Sequence, residues 1–370
     1  MNCIRILGGV GIVICLLAAC GPIITKTTQV AETVPADIHE PKPLPLSEPG
    51  PYGVGMRKYS YTDAARNDRE VTISVYYPAV QPSTPTSYGF TRDADPDPRG
   101  APYPLILSST KVARSFAPNL ASHGFTWVSV DKIDTYNSTN PEMLHQPLDI
   151  LFALEQVASN PPQGLEGVID AEHAGATGYS FDGFNALMLS GARIDPQLYL
   201  ELCADPEQTK QTVKYWFDGS YNCGLAGQWY SFSADAGEEL TASQDGLWQP
   251  VTDERIRAVL PMAADGFYLF GEKGLAAEDR PALMIVGSFD DLYRENVLIF
   301  EHLGTPEKTM ITFINRGHPM IYDAEMQARM AHFMVAFFGY YLQGREDYAE
   351  YFSENFVAQY NDLAWGVYEK

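Results

Sequence analysis

The chain reads Ala176-Thr177-Gly178-Tyr179-Ser180-Phe181-Asp182-Gly183 at the point that decides its fold. The residues before the serine, His173–Tyr179, predict a short strand, and Phe181–Ser190 predicts a helix. A serine between a strand and a helix occupies a sharp turn that exposes its hydroxyl at the end of the strand, and a glycine two residues earlier leaves room for that turn. This pattern makes Ser180 a candidate nucleophile.

Two later strands end in residues that could activate such a serine. Pro281–Val286 runs into Gly287-Ser288-Phe289-Asp290-Asp291, and Thr309–Ile314 runs into Asn315-Arg316-Gly317-His318-Pro319. Because the carboxyl ends of parallel strands meet at one edge of a sheet, we expect Ser180, Asp290 and His318 to converge there. His318 would take the serine proton, and Asp290 would fix the tautomer of the imidazole. Asp291 is the alternative acid.

The rest of the chain alternates strand and helix patterns. The predicted strands are Val71–Tyr77, Leu105–Leu107, Phe125–Val130, His173–Tyr179, Arg255–Met262, Pro281–Val286 and Thr309–Ile314, and further helices are expected around Pro118–His123 and at Pro141–Ser159 and Glu325–Tyr341. This alternation predicts an α/β fold with a mostly parallel central sheet and helices on both faces. Residues 195–253 interrupt it with many aromatic residues, and we expect them to form an insertion with its own small core, as a cap or lid.

Composition and charge exclude some classes of function. The chain has 370 residues with 45% hydrophobic and 12% aromatic residues, enough for a sizeable core. Its 25 Lys and Arg against 47 Asp and Glu give a formal net charge of −22. Such a surface repels phosphate backbones and anionic headgroups, so no nucleic-acid partner is expected and no basic patch for membrane docking. Nothing in the sequence indicates an oligomeric state.

The N-terminus predicts export. Arg5 precedes the apolar run Ile6–Ala19, which is too short to span a bilayer and is typical of a secretory signal. The ending Leu17-Ala18-Ala19-Cys20 resembles a bacterial lipobox, which implies that residues 1–19 are removed and Cys20 is lipidated. Residues 20–51 are rich in proline and would form a spacer behind the anchor. The protein is therefore expected in the bacterial cell envelope, facing the periplasm or the exterior. An ordinary signal peptide with a fortuitous cysteine is the alternative.

Two cysteines remain in the mature chain, Cys203 and Cys223. In an oxidising compartment an even pair predicts a disulfide rather than a metal site. No histidine lies between His173 and His302 to complete a zinc site, and the acidic loop at Asp93–Asp97 lacks the spacing of a calcium loop. No metal or other cofactor is expected.

Further motifs resemble a known family. Tyr52-Gly53-Val54-Gly55 and Tyr76-Tyr77-Pro78-Ala79 look like the opening of platelet-activating-factor acetylhydrolases and of bacterial dienelactone-hydrolase-like proteins, and Leu120-Ala121-Ser122-His123-Gly124-Phe125 continues the likeness. The resemblance spans about residues 52–341, within a predicted domain of residues 52–345 followed by a tail of residues 346–370. It implies an α/β-hydrolase fold and a cofactor-free serine carboxylester hydrolase.

The resemblance also implies a substrate class. The expected substrates are small-molecule or lipid esters with short or medium acyl chains, including phospholipid-derived ones. A polyester or amide hydrolase with the same triad is the alternative enzyme. A non-catalytic binding lipoprotein is the alternative outside catalysis.

The resemblance assigns the donors that would bind a developing oxyanion. The N–H of Phe181 is one, and the N–H of Lys111 or Thr110 is the other. Two departures bear on this site. The chain has Ser108-Ser109-Thr110 where the family has Ser-His-Gly, and Asp182 where the turn normally has glycine. Asp182 is either an acid favoured by the helix dipole or a charge that disfavours anionic substrates and perturbs His318.

The lipobox predicts a covalent lipid on Cys20. Cells grown with a palmitate analogue should label the wild-type chain, and Cys20→Ala should abolish the label because the lipid is attached to that cysteine. A Cys20→Ala chain that still carries the label would contradict the anchor.

Overall fold

The computed structural model describes residues 44–81, 89–131, 137–213 and 216–369. The chain divides into two units, residues 1–40 and 41–370, and every described residue belongs to the second. The predicted signal peptide and Cys20 therefore lie outside the described residues.

The described residues build a ten-stranded sheet in the order β10-β9-β8-β7-β6-β4-β5-β2-β1-β3. The strands are β1 (Gly53–Asp63), β2 (Arg69–Ala79), β3 (Thr91–Arg92), β4 (Tyr103–Ser109), β5 (Thr126–Val130), β6 (Ile169–Tyr179), β7 (Ile256–Met262), β8 (Ala282–Gly287), β9 (Lys308–Phe313) and β10 (Leu363–Trp365). The six neighbours from β9 to β5 are parallel. Strand β2 pairs antiparallel with β1 and β5, β10 pairs antiparallel with β9, and the short β3 pairs parallel with β1. The predicted, mostly parallel sheet is confirmed.

Helices connect the parallel strands from β4 to β9, and two more lie between β9 and β10. They are α1 (Thr110–Ser122), α2 (Glu142–Ser159), α3 (Phe181–Leu189), α4 (Pro196–Ala204), α5 (Pro206–Val213), α6 (Gly219–Asn222), α7 (Trp229–Ala236), α8 (Glu238–Thr241), α9 (Phe267–Leu275), α10 (Tyr293–His302), α11 (Ala324–Gln343) and α12 (Glu354–Val357). Helices α1 and α11 pack together, as do α2 and α3, and both pairs contact β6. The sheet is thus covered on both faces, and its central strands are buried almost throughout.

Three elements differ from the sequence prediction. Helix α1 begins at Thr110, eight residues before the expected helical stretch, and reaches past Pro118. The described part of the segment 195–253 contains the five helices α4 to α8, where the sequence showed no regular alternation. Helices this short leave little periodic signal in a sequence. The C-terminal tail adds β10, which pairs Leu363 with Phe313 at the sheet edge.

The insertion has its own aromatic core. The indole of Trp229 lies 4.9 Å from the ring of Tyr199 and 5.6 Å from that of Trp248, measured between ring centroids. Phe232 stacks on Trp248 at 5.2 Å. A disulfide joins Cys203 to Cys223 across the same segment. Aromatic packing and the covalent link together give these short helices a stability that they lack alone.

The end of the proline-rich segment packs on the domain. Leu44 is buried, and the backbone N–H of Leu46 donates to Nδ1 of His332 at 2.9 Å. The N–H of Gly50 donates to the hydroxyl of Ser122 at 2.8 Å. The described end of the predicted spacer, residues 44–50, therefore packs on the fold. No helix within the described ranges has the length and apolar character needed to cross a membrane.

One buried acid predicts how stability depends on pH. Glu278 is 1% exposed, and only one of its carboxyl oxygens accepts a hydrogen bond among the described residues, from the N–H of Arg280 at 2.9 Å. Burial raises the pKa of Glu278 to about 8. Since the folded state favours the protonated acid, this stabilising contribution is complete below the unfolded pKa near 4.5 and is lost as the pH rises through 8.

Glu278→Gln should therefore leave the melting temperature nearly unchanged at pH 5 and raise it at pH 9. A tenfold difference in proton affinity corresponds to about 1.4 kcal/mol, so the gain at pH 9 is on the order of a few kcal/mol. Thermal unfolding at both pH values measures it. The exposed Glu254→Gln serves as the control, and an equal effect of both variants would contradict the assignment.

Candidate active site

Ser180 lies in a strained turn between β6 and α3. Its backbone has φ 62° and ψ −125°, a region that residues with a Cβ rarely adopt. Its N–H donates to the carbonyl of Met262 at the end of β7, at 2.9 Å. Strain of this kind costs about 1–3 kcal/mol and persists only where the surroundings enforce it, which is typical of functional turns.

Two glycines allow the turn. A Cβ on Gly178 would lie 1.9 Å from the carbonyl oxygen of Asp182, so the first turn of α3 can fold back onto β6 only over a glycine. A Cβ on Gly183 would lie 2.8 Å from the Cβ of Ala264, in the loop after β7. The glycine that the sequence lacks at position 182 is thus supplied at 183, where α3 meets the neighbouring loop.

Asp290 and His318 meet at the ends of β8 and β9. Nδ1 of His318 lies 2.9 Å from Oδ2 and 3.1 Å from Oδ1 of Asp290. The Asp290 side chain is fully buried, whereas that of His318 is 34% exposed. The N–H of Leu292 also donates to Oδ1 of Asp290 at 2.9 Å, which fixes the carboxylate. Asp290, and not the exposed Asp291, contacts the imidazole.

The two loops that carry these residues are joined to each other. The N–H of Ser288 donates to the carbonyl of Phe313, and the hydroxyl of Ser288 accepts from the N–H of Asn315, each at 2.9 Å. The N–H of Phe289 donates to the carbonyl of Arg316 at 2.8 Å. These bonds set the distance between the two strand ends, and with it the contact between acid and base.

Tyr179 contacts both the backbone and the ring of His318. Its hydroxyl donates to the carbonyl of His318 at 2.6 Å, and the two ring centroids lie 5.1 Å apart. Burial raises the pKa of Tyr179, so the phenol stays protonated and remains a donor. Tyr179 directly precedes Ser180, and the strand that positions the serine therefore also holds the histidine backbone. Sequence reasoning did not identify this role.

No hydrogen bond joins the Ser180 hydroxyl to the His318 ring in the part of the chain that the structure describes. Nucleophile–base contacts are often long in unliganded enzymes and shorten when substrate binds. The structure thus brings the three strand ends together, with the acid–base contact formed.

Two helices begin at the carboxyl ends of the neighbouring parallel strands β4 and β6. Helix α3 begins directly after Ser180, and α1 begins at Thr110, directly after β4. Neither Ser109 nor Ser180 caps its helix with a side-chain hydrogen bond. The first-turn N–H groups of a helix lack intrahelical partners and carry the positive end of its dipole. The backbone N–H groups of Thr110, Lys111 and Phe181 therefore belong to two helix ends suited to a developing negative charge.

The turn at Ser109 needs no glycine. Ser109 has φ −91° and ψ 175°, an extended conformation open to any residue. The hydroxyl of Thr110 donates to the carbonyl of Val130 at 2.8 Å, which ties the start of α1 to the end of β5. Asp182 is 6% exposed in the first turn of α3, where the helix dipole favours a carboxylate.

Asp265 is an acid of this edge that sequence reasoning missed. It follows β7, is 3% exposed, and accepts a hydrogen bond from the hydroxyl of Tyr221 in the insertion at 2.9 Å. The available signal was the same as for Asp290, a carboxylate just after a buried strand.

Comparisons with known proteins bear on the fold. The sequence matches no known family model and no curated protein. Among solved structures, a ferulic acid esterase from Streptomyces cinnamoneus is similar, with a TM-score of 0.53 and 15% identity over 85% of this chain and 96% of that chain. At this identity the likeness shows the fold alone. Together with the sheet topology it shows that the chain has the α/β-hydrolase fold.

The contact with His318 predicts which acid matters. Asp290→Asn should slow the labelling of Ser180 by a fluorophosphonate by about 10³–10⁴-fold, because the imidazole loses the partner that fixes its tautomer. Asp291→Asn is the matched control and should label at the wild-type rate. Mass spectrometry of the labelled peptide over time measures both rates, and equal slowing of the two variants would contradict the assignment.

Proposed function

We propose that the chain is a serine hydrolase that cleaves carboxylic esters through an acyl-enzyme. The observation that carries this proposal is the 2.9 Å contact between Nδ1 of His318 and the buried Asp290, formed at the sheet edge where the strained Ser180 turn ends β6. The resemblance of the Tyr52–Gly55 and Tyr76–Ala79 motifs to acetylhydrolases and dienelactone-hydrolase-like proteins supports it further.

Acylation follows from this arrangement. The Ser180 oxygen attacks the ester carbonyl while Nε2 of His318 takes the hydroxyl proton. Asp290 holds Nδ1 and stabilises the imidazolium that forms. As the tetrahedral intermediate collapses, the carbonyl–oxygen bond to the alcohol breaks, and His318 returns the proton to the departing alkoxide. Water then repeats these steps on the acyl-enzyme and releases the acid.

The negative charge of the intermediate would be bound by the N–H of Phe181 and an N–H of Thr110 or Lys111. Both helix N-termini are held in place before substrate arrives, one by the Ser180 turn and the other by the Thr110–Val130 hydrogen bond. One such fixed donor contributes about 3 kcal/mol to stabilising the transition state.

Short and medium acyl esters, including phospholipid-derived ones, are the proposed substrates. Esters of aromatic acids are a second candidate, favoured by two exposed rings beside the triad, Phe289 at 53% and Tyr322 at 77%. Phe289 directly precedes Asp290, and Tyr322 lies at the end of the turn that begins at His318. The similar structure is named as a ferulic acid esterase, which supports testing this class.

We further propose that the enzyme acts at the bacterial cell envelope, anchored by a lipid on Cys20. The lipobox-like sequence supports this location. Substrates would then be esters that reach the periplasm or the exterior.

Ser180→Ala should abolish turnover of p-nitrophenyl acetate, with a fall of about 10⁶-fold by analogy with measured triads. Ser109→Ala is the matched control at the same edge, because its hydroxyl makes no hydrogen bond among the described residues. Hydrolysis rates for acetate, butyrate and octanoate esters and for a methyl ferulate should then rank the substrate classes. Ser180→Ala retaining most of its activity would refute the mechanism, and failure of wild-type Ser180 to react with a fluorophosphonate would favour a binding role.

A further inference from the structure

The loop after β7, which carries Asp265, is held by two side chains of α10. The carboxylate of Glu295 accepts from the N–H groups of Gly266 and Phe267 at 2.8 Å and 2.9 Å. The amide of Asn296 accepts from the N–H of Ala264 at 3.0 Å and donates to its carbonyl at 2.8 Å. Two buried side chains of α10 thus fix the backbone on both sides of Asp265.

This loop also carries strain and contacts the nucleophile turn. Ala263 has φ 41°, in the left-handed region that a residue with a Cβ rarely adopts. Ala264 packs on Gly183, three residues after Ser180. Strain and close packing beside the nucleophile are typical of a functional segment rather than of a solvent-exposed connection.

Asp265 reaches from this loop to the insertion. Its Oδ2 accepts from the hydroxyl of Tyr221 at 2.9 Å, while its Oδ1 is buried without a partner in the described part of the chain. Burial raises the pKa of Asp265, and the hydrogen bond from Tyr221 opposes that rise. Asp265 follows β7, the strand that pairs with β6, so the Asp265–Tyr221 contact lies at the same sheet edge as Ser180.

The segment that Tyr221 belongs to is held from further sides. Its carbonyl accepts from the N–H of Thr139 at 2.9 Å, and the hydroxyl of Thr139 donates to the carbonyl of Asn222 at 2.9 Å. The Tyr199 hydroxyl accepts from the N–H of Leu225 at 3.1 Å, and Cys223 closes the disulfide. We call residues 219–225 the insertion corner. Asp265 supplies its contact with the active-site edge.

We propose that Asp265 is a positioning residue that, through Tyr221, fixes the insertion corner as a wall of the ester-binding crevice and so sets the selectivity for larger esters. The inference rests on the proposed function. The insertion corner is then a preorganised wall and not a lid that must close. On this proposal a long acyl chain contacts the wall and a small ester does not.

We call the hydrogen bond from Tyr221 to Asp265 the latch. Tyr221→Phe removes the latch and keeps the aromatic ring. We expect KM for p-nitrophenyl octanoate to rise about tenfold, equivalent to about 1.4 kcal/mol of binding, while kcat for p-nitrophenyl acetate stays within about twofold. Hydrogen exchange of the amides in residues 219–225 should become about tenfold faster. Tyr230→Phe is the matched control, since that tyrosine is 89% exposed in the same insertion and should change neither quantity.

Asp265→Asn separates the latch from the charge. The asparagine keeps an oxygen that accepts from Tyr221, so selectivity and exchange should stay near wild type, whereas Asp265→Ala should reproduce Tyr221→Phe. Unchanged exchange in Tyr221→Phe would overturn the latch, and faster exchange with an unchanged octanoate KM would overturn its role in selectivity. If the wild type hydrolyses no ester, the proposed function and the selectivity fail together, while the exchange data still decide whether the latch exists.

Discussion

The active-site edge depends on the backbone of Ser180, which is held at a positive φ by its hydrogen bond to Met262 and by the close approach of α3 to β6. That approach is possible only because residue 178 has no side chain. The direction of α3, the position of its N-terminal N–H groups and the packing of Gly183 on Ala264 all follow from this turn. A different backbone at residue 180 would displace each of them.

The same edge concentrates groups that are costly to bury. Asp265, Asp290 and Glu295 are all at most 5% exposed. Asp265 and Asp290 follow the ends of β7 and β8, and Glu295 lies in α10. Burial raises the pKa of Asp265 and of Glu295. Asp290 is bonded to His318 and to the N–H of Leu292. An acid that keeps an oxygen without a partner destabilises the fold, and the extensive apolar core around the sheet offsets this cost.

The sequence predicts those features of this arrangement that depend on a local pattern of residues. Strand ends, the glycine before the serine and the order of the three residues are visible in the sequence, and the structure brings those strand ends together. Long-range contacts carry no such signal. The antiparallel pairing of Leu363 with Phe313 and the bond from Tyr221 to Asp265 join residues 50 and 44 positions apart in sequence. Aromatic content indicated a small core in the insertion, but its short helices gain stability only from the packing that the sequence does not display.

The loop after β4 has no glycine, and the structure shows that it needs none. A glycine is required in such a loop when the backbone must turn through a positive φ to present its N–H groups. Here β4 ends in an extended Ser109 and α1 starts at the next residue, so the N–H groups of Thr110 and Lys111 point outward as the regular first turn of a helix. The side chain of Ser109 does not cap that turn. A helix end thus follows β4, and it brings the dipole of a 13-residue helix to the sheet edge at which α3 also begins.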